Sequence, residues 1–137
     1  MQPAPELFIL ALVAVATALM WVPYMGARIL TRGVGRTLAN PDPAAPPDPP
    51  WAERARRAHA NAVENLAIFA PLVIMTALVG ASSATTILAA KVYLGARLAH
   101  YVVYAAGIPV VRTLAFAAAF GATLQIAAVL IGRLGGA

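Results

Sequence analysis

The sequence predicts an all-α membrane protein, a bundle of four transmembrane helices, and three observations predict it. Hydrophobic residues fill 61% of the 137 positions and charged residues only 11%, with a positive mean hydropathy. Long uncharged runs recur along the chain, separated by breaks rich in arginine, glycine or proline. The basic residues, nine arginines and one lysine, gather mainly at the ends of those runs. A soluble four-helix bundle needs a charged outer face on every helix, and 15 charged side chains cannot supply four such faces.

Leu7 to Ala27 is an uncharged run of 21 residues between Glu6 and Arg28. At about 1.5 Å per residue it crosses a hydrocarbon layer of roughly 30 Å. The first helix is therefore expected over about residues 6–30, with Pro23 bending it where a neighbour must satisfy the freed carbonyl. The opening MQPAPE has no basic segment, so the run reads as an uncleaved span and not as a secretory leader.

Residues 28–57 form the one long connection, with Arg28, Arg32 and Arg36 at its start. Pro41, Pro43, Pro46, Pro47, Pro49 and Pro50 crowd its middle, so it is not expected to be helical; the stretch 37–50 should cross the membrane surface as an extended strap. Trp51 anchors the interface and opens the second helix, about 51–80. The turn Gly80-Ala81-Ser82-Ser83-Ala84 is too short for anything but an antiparallel neighbour, giving a third helix over about 85–106. A break at Gly107-Ile108-Pro109 precedes the fourth helix, about 110–133, and the whole chain forms one domain. Six of the ten basic residues lie in or beside the first connection, Arg112 lies in the third and none in the second. By the positive-inside rule loops one and three are cytoplasmic and both termini face outward.

Composition also excludes chemistry. With no cysteine, disulfides, thiolate metal sites and a protein-borne thiol nucleophile are ruled out, so any thiol must come from a substrate. Two histidines without suitable spacing give no metal site, and the arginines at helix ends suit anions or membrane topology, not nucleic acid. Ser82 and Ser83 sit at the end opposite the polar cluster, so no serine nucleophile with a histidine base is expected.

Two polar stripes enter the apolar runs. Arg54, Arg57, Asn61, Glu64 and Asn65 fall at spacings of three, four, three and one on the second helix. Tyr93, Arg97, His100 and Tyr104 fall at four, three and four on the third, so each set occupies one helix face. Polar groups in hydrocarbon are costly and should turn inward, where the stripes can meet. Arg112 and Thr113 on the fourth helix and Arg28 and Arg32 on the first are expected at the same end. Such a cluster is strongly cationic and calls for an anionic ligand held by bidentate arginine contacts. Taken singly, Arg28, Arg36, Arg54 and Arg56 are ordinary topology signals, and Asn61, Glu64 and Arg97 could equally be interhelical pairs. His59 projects away from its helix's stripe and suits a helix-capping or interface role, and Tyr93 and Tyr101 suit packing or the membrane interface.

The segment Glu53-Arg54-Ala55-Arg56-Arg57-Ala58-His59-Ala60-Asn61-Ala62-Val63-Glu64-Asn65 resembles the helix-two signature of the MAPEG family, membrane-associated proteins in eicosanoid and glutathione metabolism. Ala39-Asn40-Pro41, Arg97-Leu98-Ala99-His100 with Tyr104, and Arg112-Thr113 extend the resemblance over most of the chain. It implies a homotrimer that binds glutathione between subunits near the cytoplasmic face. Residues Arg32, Arg57, Asn61, Glu64, Arg97, His100 and Tyr104 match the binding positions. Arg112 falls beside the glutathione sulfur with Thr113 as its hydroxyl partner, and the second substrate would be a lipophilic small molecule reaching the site from membrane lipid. Phe116 stands where several family members carry a tyrosine, so any role of that phenol is lost here.

The implied activity is a glutathione transferase or peroxidase. Two other plans fit four short spans: a proton-coupled exporter with Glu64 as the proton carrier, which the nearby arginines disfavour by lowering its pKa, and a noncatalytic scaffold held by buried polar pairs.

Overall fold

The computed structural model describes residues 4–136, and every regular element in them is an α-helix. In chain order these are α1 (Pro5–Leu19), α2 (Trp21–Arg32), α3 (Val34–Leu38), α4 (Pro50–Leu78), α5 (Ala84–Ala106) and α6 (Pro109–Leu134). The expected first helix is thus present as two segments that together run Pro5–Arg32. They part at Met20, close to where Pro23, lacking an N–H, leaves the Leu19 carbonyl without its helical donor. The neighbouring Met20 carbonyl is taken by the Tyr101 hydroxyl of α5 at 2.8 Å.

The long connection differs from expectation at both ends. Helix α2 carries on through Arg28 to Arg32, and after Gly33 the five-residue α3 contains Arg36. Prolines begin only at Pro41, so nothing in residues 28–38 forbids helix; Gly33, at φ 78°, turns the chain between α2 and α3. Apart from Gly33, only residues 39–49 of this connection lie outside helices, and α4 opens one residue before Trp51, with Pro50 at its first position, where a missing N–H costs nothing.

Among the described residues three stretches, Pro5–Arg32, Pro50–Leu78 and Pro109–Leu134, are long and apolar enough to cross a membrane. Helix α5 has the length, 23 residues, but Lys91, Arg97 and His100 make it less apolar. Its polar side chains Tyr93, Arg97 and His100 are buried inside the bundle. Around them Ile9 and Val13 of α1, Phe69 and Val73 of α4, and Ala119, Ala122 and Ile126 of α6 form the core, with the Tyr93 ring stacked on Phe69 at 3.6 Å. Ala55, Ala58 and Ala62 present almost no side chain where α4 meets its neighbours, which lets the helices approach closely.

The topology gives the bundle two polar ends. At one, the start of α1 meets the α4–α5 turn: Ser82 Oγ donates to both oxygens of Glu6 at 2.9 and 2.8 Å, and Thr86 Oγ1 donates to the same carboxylate. Glu6 is only 1% exposed. Ser83 caps α5 by accepting from the Thr86 N–H, while Thr86 Oγ1 accepts from the Ser83 N–H. The other end gathers the close of α2, the start of α4, the close of α5 and the start of α6, and carries most of the arginines.

Candidate active site

Antiparallel packing of α4 on α5 brings the two polar stripes together at the arginine-rich end. Arg97 Nη2 donates to Asn61 Oδ1 at 2.8 Å, joining the helices through one charged hydrogen bond. Arg97 is 3% exposed, yet its Nε and Nη1 have no partner among the described residues. One turn further along α5, His100 is also buried, its Nδ1 unpartnered and its ring set edge-on to Tyr104 with centroids 5.5 Å apart. The guanidinium of Arg112, from the first turn of α6, lies 4.5 Å from the centre of the Tyr104 ring, a cation–π distance. Phe116, one turn beyond Arg112, closes this side against His100 at 6.3 Å. Thr113 is exposed and its Oγ1 donates to the Pro109 carbonyl at 3.1 Å, leaving oxygen lone pairs free.

The turn that carries Arg112 is held from α4. Gly107 closes α5 in the left-handed conformation, φ 82°, and Arg54 Nε donates to the Ala105 carbonyl at 2.9 Å. The left-handed backbone favours glycine there, and a Cβ on Gly107 would lie 3.2 Å from the Arg54 guanidinium, which would have to shift slightly. Arg54 thus secures the C-terminus of α5, where a cation complements the exposed carbonyls.

Not every residue of the two stripes faces inward. Arg57 and Glu64 are exposed on the outer side of α4, and among the described residues Glu64 makes no salt bridge. Asn65 turns back on its own helix, its amide donating to the Asn61 carbonyl at 2.8 Å. His59 accepts or donates across to Tyr24 of α2 at 2.9 Å, the interhelical role its position suggests. Arg28 and Arg32 are drawn to Asp48: Arg28 Nε donates to Oδ2 at 2.9 Å and Arg32 Nη2 lies 3.2 Å from Oδ1. The Arg28 hydrogen bond, aided by the charges of Arg28, Arg32 and Arg56, holds the Asp48 carboxyl below the usual carboxylate range against the opposing effect of burial. Sequence reasoning passed over Asp48, although an acid placed just before Pro-Pro-Trp, within reach of arginines four residues apart, was its available signal.

Taken together, an apolar helical bundle with buried guanidinium donors at one end defines an integral membrane protein with a cationic site at the margin of its apolar spans. The chain belongs to the MAPEG family, which it matches over residues 7–132. It is similar to microsomal glutathione S-transferase 1 of Homo sapiens, 37% identical over 76 residues that make up 55% of this chain and 49% of the relative. The proteins of the same name from Sus scrofa and Rattus norvegicus are 38% and 36% identical over equal shares. The matched region thus spans about half the length of these curated relatives.

Proposed function

We propose that this protein is a glutathione-dependent membrane transferase or peroxidase that activates the glutathione thiol as a thiolate for attack on a lipophilic electrophile or hydroperoxide. The observation that carries this reading is Arg97: a guanidinium 3% exposed, paired to a neutral amide and with two nitrogens unpartnered among the described residues. A buried cation in that state is costly unless an anion completes its hydrogen bonding. Glutathione brings two carboxylates and one ammonium group, which suits several arginines and a single glutamate. Family membership and the similarity to glutathione transferases support the same ligand.

In this reading Arg57, Asn61, Arg97, His100 and Tyr104 surround the tripeptide and Glu64 receives its ammonium group. Arg32, also in the expected set, already pairs with Asp48. Arg112, resting on the Tyr104 ring, stands beside the sulfur. A free thiol titrates near pH 8.5, so a guanidinium that favours the anion raises the reactive fraction at neutral pH. The thiol proton leaves to solvent, and the sulfur then displaces a leaving group from the acceptor. With a hydroperoxide, two glutathiones become a disulfide as the hydroperoxide is reduced to alcohol and water. Thr113 would support the thiolate by rotating its hydroxyl away from the Pro109 carbonyl.

The same proposal includes α5 as a fourth span and a homotrimeric assembly. Glu64 lies exposed on a helix apolar enough to cross a membrane, where a carboxylate facing lipid is expensive. A neighbouring copy covering that face would complete the site. The arginine-rich end would lie at the cytoplasmic surface.

The test is conjugation of glutathione to a hydrophobic electrophile by the purified protein, followed alongside the ultraviolet absorbance of bound thiolate. Wild type is expected to show both, and Arg112→Ala to keep glutathione while losing the thiolate signal. Absence of both signals from folded wild-type protein would refute the reading.

A further inference from the structure

At the end of the bundle away from the proposed glutathione pocket, a groove runs along α5 and α6. Near the α4–α5 turn it opens as a cavity of about 430 Å³ lined by Ser82, Ala128, Val129, Gly132 and Arg133. Further along the same two helices lies a second space of about 300 Å³, between Thr85, Leu88 and Val92 of α5 and Gly121, Ala122 and Gln125 of α6. Positions 121, 125, 128, 129 and 132 follow one another at helical steps of three and four, so they share one face of α6 and set the two spaces end to end. On the opposite wall Ser82 and Thr85 keep the same order. No residue of the proposed glutathione set lines either space.

Polarity changes in one direction along this groove. Arg133 stands at the mouth, exposed in the last turn of α6, with no carboxylate within salt-bridge distance among the described residues. Glu6, the carboxylate that Ser82 touches, is 1% exposed and takes its hydrogen bonds from Ser82 and Thr86. Having given its hydrogen to Glu6, Ser82 Oγ can only accept from a ligand. Eight residues back along α6, about 12 Å at helical rise, the amide of Gln125 is exposed, and so is Thr85 across the groove. Helical side chains lean toward their own N-terminus, which shortens the gap from the Arg133 guanidinium to Gln125. Beyond Gln125 the lining is apolar, with Leu88 and Val92 as walls and Gly121 and Ala122 leaving room on α6.

A cation in a last helical turn is common, because it faces free carbonyls. What sets Arg133 apart is the graded groove below it: a cation, then neutral hydrogen-bonding groups, then an apolar trough. That is the order of phosphate, ester carbonyl and acyl chain in a phospholipid. The structure assigns this groove to one anionic phospholipid. Its phosphate rests on Arg133, a headgroup hydroxyl donates to Ser82 Oγ, and an ester carbonyl accepts from Gln125 or Thr85. One acyl chain lies against Leu88, Val92 and Gly121. A zwitterionic lipid carries its own cation and gains less from Arg133.

Native mass spectrometry of the full chain in detergent tests this, with phosphatidylglycerol and phosphatidylcholine as probes. Wild type is expected to prefer phosphatidylglycerol by about fivefold or more, the worth of one arginine near an anionic headgroup, and Arg133→Gln to lose most of that preference. Lys91→Gln removes an exposed cation from α5 outside the groove and should leave the preference intact. A Cβ at Gly121 would meet nothing within 4 Å, so Gly121→Leu should fill the trough without unfolding the protein and lower retention of both lipids alike. Equal retention of the two lipids by wild type, or an unchanged preference in Arg133→Gln, would overturn the assignment. A loss in Lys91→Gln as large as in Arg133→Gln would overturn it too, by tracing the preference to net charge. Inorganic phosphate should fail to displace the lipid; complete displacement would make this a site for a soluble anion. Glutathione binding by Arg133→Gln, measured in the same preparation, is expected to match wild type.

Discussion

The two ends of the bundle treat buried charge in opposite ways. Where α1 begins, the Glu6 carboxylate is closed off from solvent and receives hydrogen bonds from Ser82 and Thr86. Where α4 begins, Arg97 is equally enclosed but keeps two nitrogens unpartnered, and His100 keeps one. A saturated buried ion behaves as a clasp: it ties the first helix to the α4–α5 turn and has little left to offer a ligand. An undersaturated one holds binding capacity in reserve. In the proposed reading, a buried charged residue points to ligand binding only where the surrounding side chains leave its hydrogen bonding incomplete.

That contrast can be broken from either side. The largest expected effect is at the open end: Arg112→Ala should lower kcat for conjugation by about 10²–10³-fold, as for loss of one donor to a developing anion, with a much smaller change in glutathione affinity. Steady-state kinetics with a lipophilic electrophile would read it, and an unchanged kcat would remove Arg112 from the chemistry. At the closed end, Glu6→Ala should cost about 2 kcal/mol by leaving hydroxyl donors in an apolar setting, yet shift the glutathione Kd less than about twofold. Thermal melting in detergent and ligand titration separate the two readouts; a large change in Kd would mean that the ends are coupled.

A smaller effect is expected at the strap. Asp48→Asn should cost about 1–2 kcal/mol of stability at neutral pH through its lost charged hydrogen bonds. The Asp48 pKa is depressed in the folded protein, so this contribution is complete above its unfolded value of about 3.9 and disappears as pH falls through the lower folded value. Melting curves of the two proteins should therefore differ at pH 7 and converge below about pH 4, with little change in the gap between pH 7 and 5. Smallest is Tyr101→Phe, which removes the side-chain donor to the Met20 carbonyl at the bend, about 1 kcal/mol by the same melting assay.

Much of this architecture was legible in the residues. Periodicity placed Asn61 and Arg97 on inward faces, and the short turn at residues 80–84 made their helices antiparallel, which is enough to bring the two together. The helix break at Gly107-Ile108-Pro109 was readable because glycine and proline act locally. Partnerships set by distant backbone were not. Arg54, Arg57 and Arg28 look alike in a string of letters, but one caps α5, one faces outward and one grips Asp48. Glu6 was read as the border of the first apolar run; its burial depends on hydroxyls 76 and 80 residues away, a spacing no local pattern reports. The helical course of residues 28–38 was hidden because the prolines further on were allowed to speak for the arginines before them.

Under the proposed function, unsatisfied guanidinium donors at the arginine-rich end hold a small acidic molecule through its carboxylates. Calorimetric titration of the purified protein with glutathione, set against glutathione diethyl ester, addresses it most directly. Glutathione should bind and the diester should bind at least about tenfold more weakly, since esterification removes the charge-assisted contacts. Equal affinity for the two, or no heat from either, would contradict the claim.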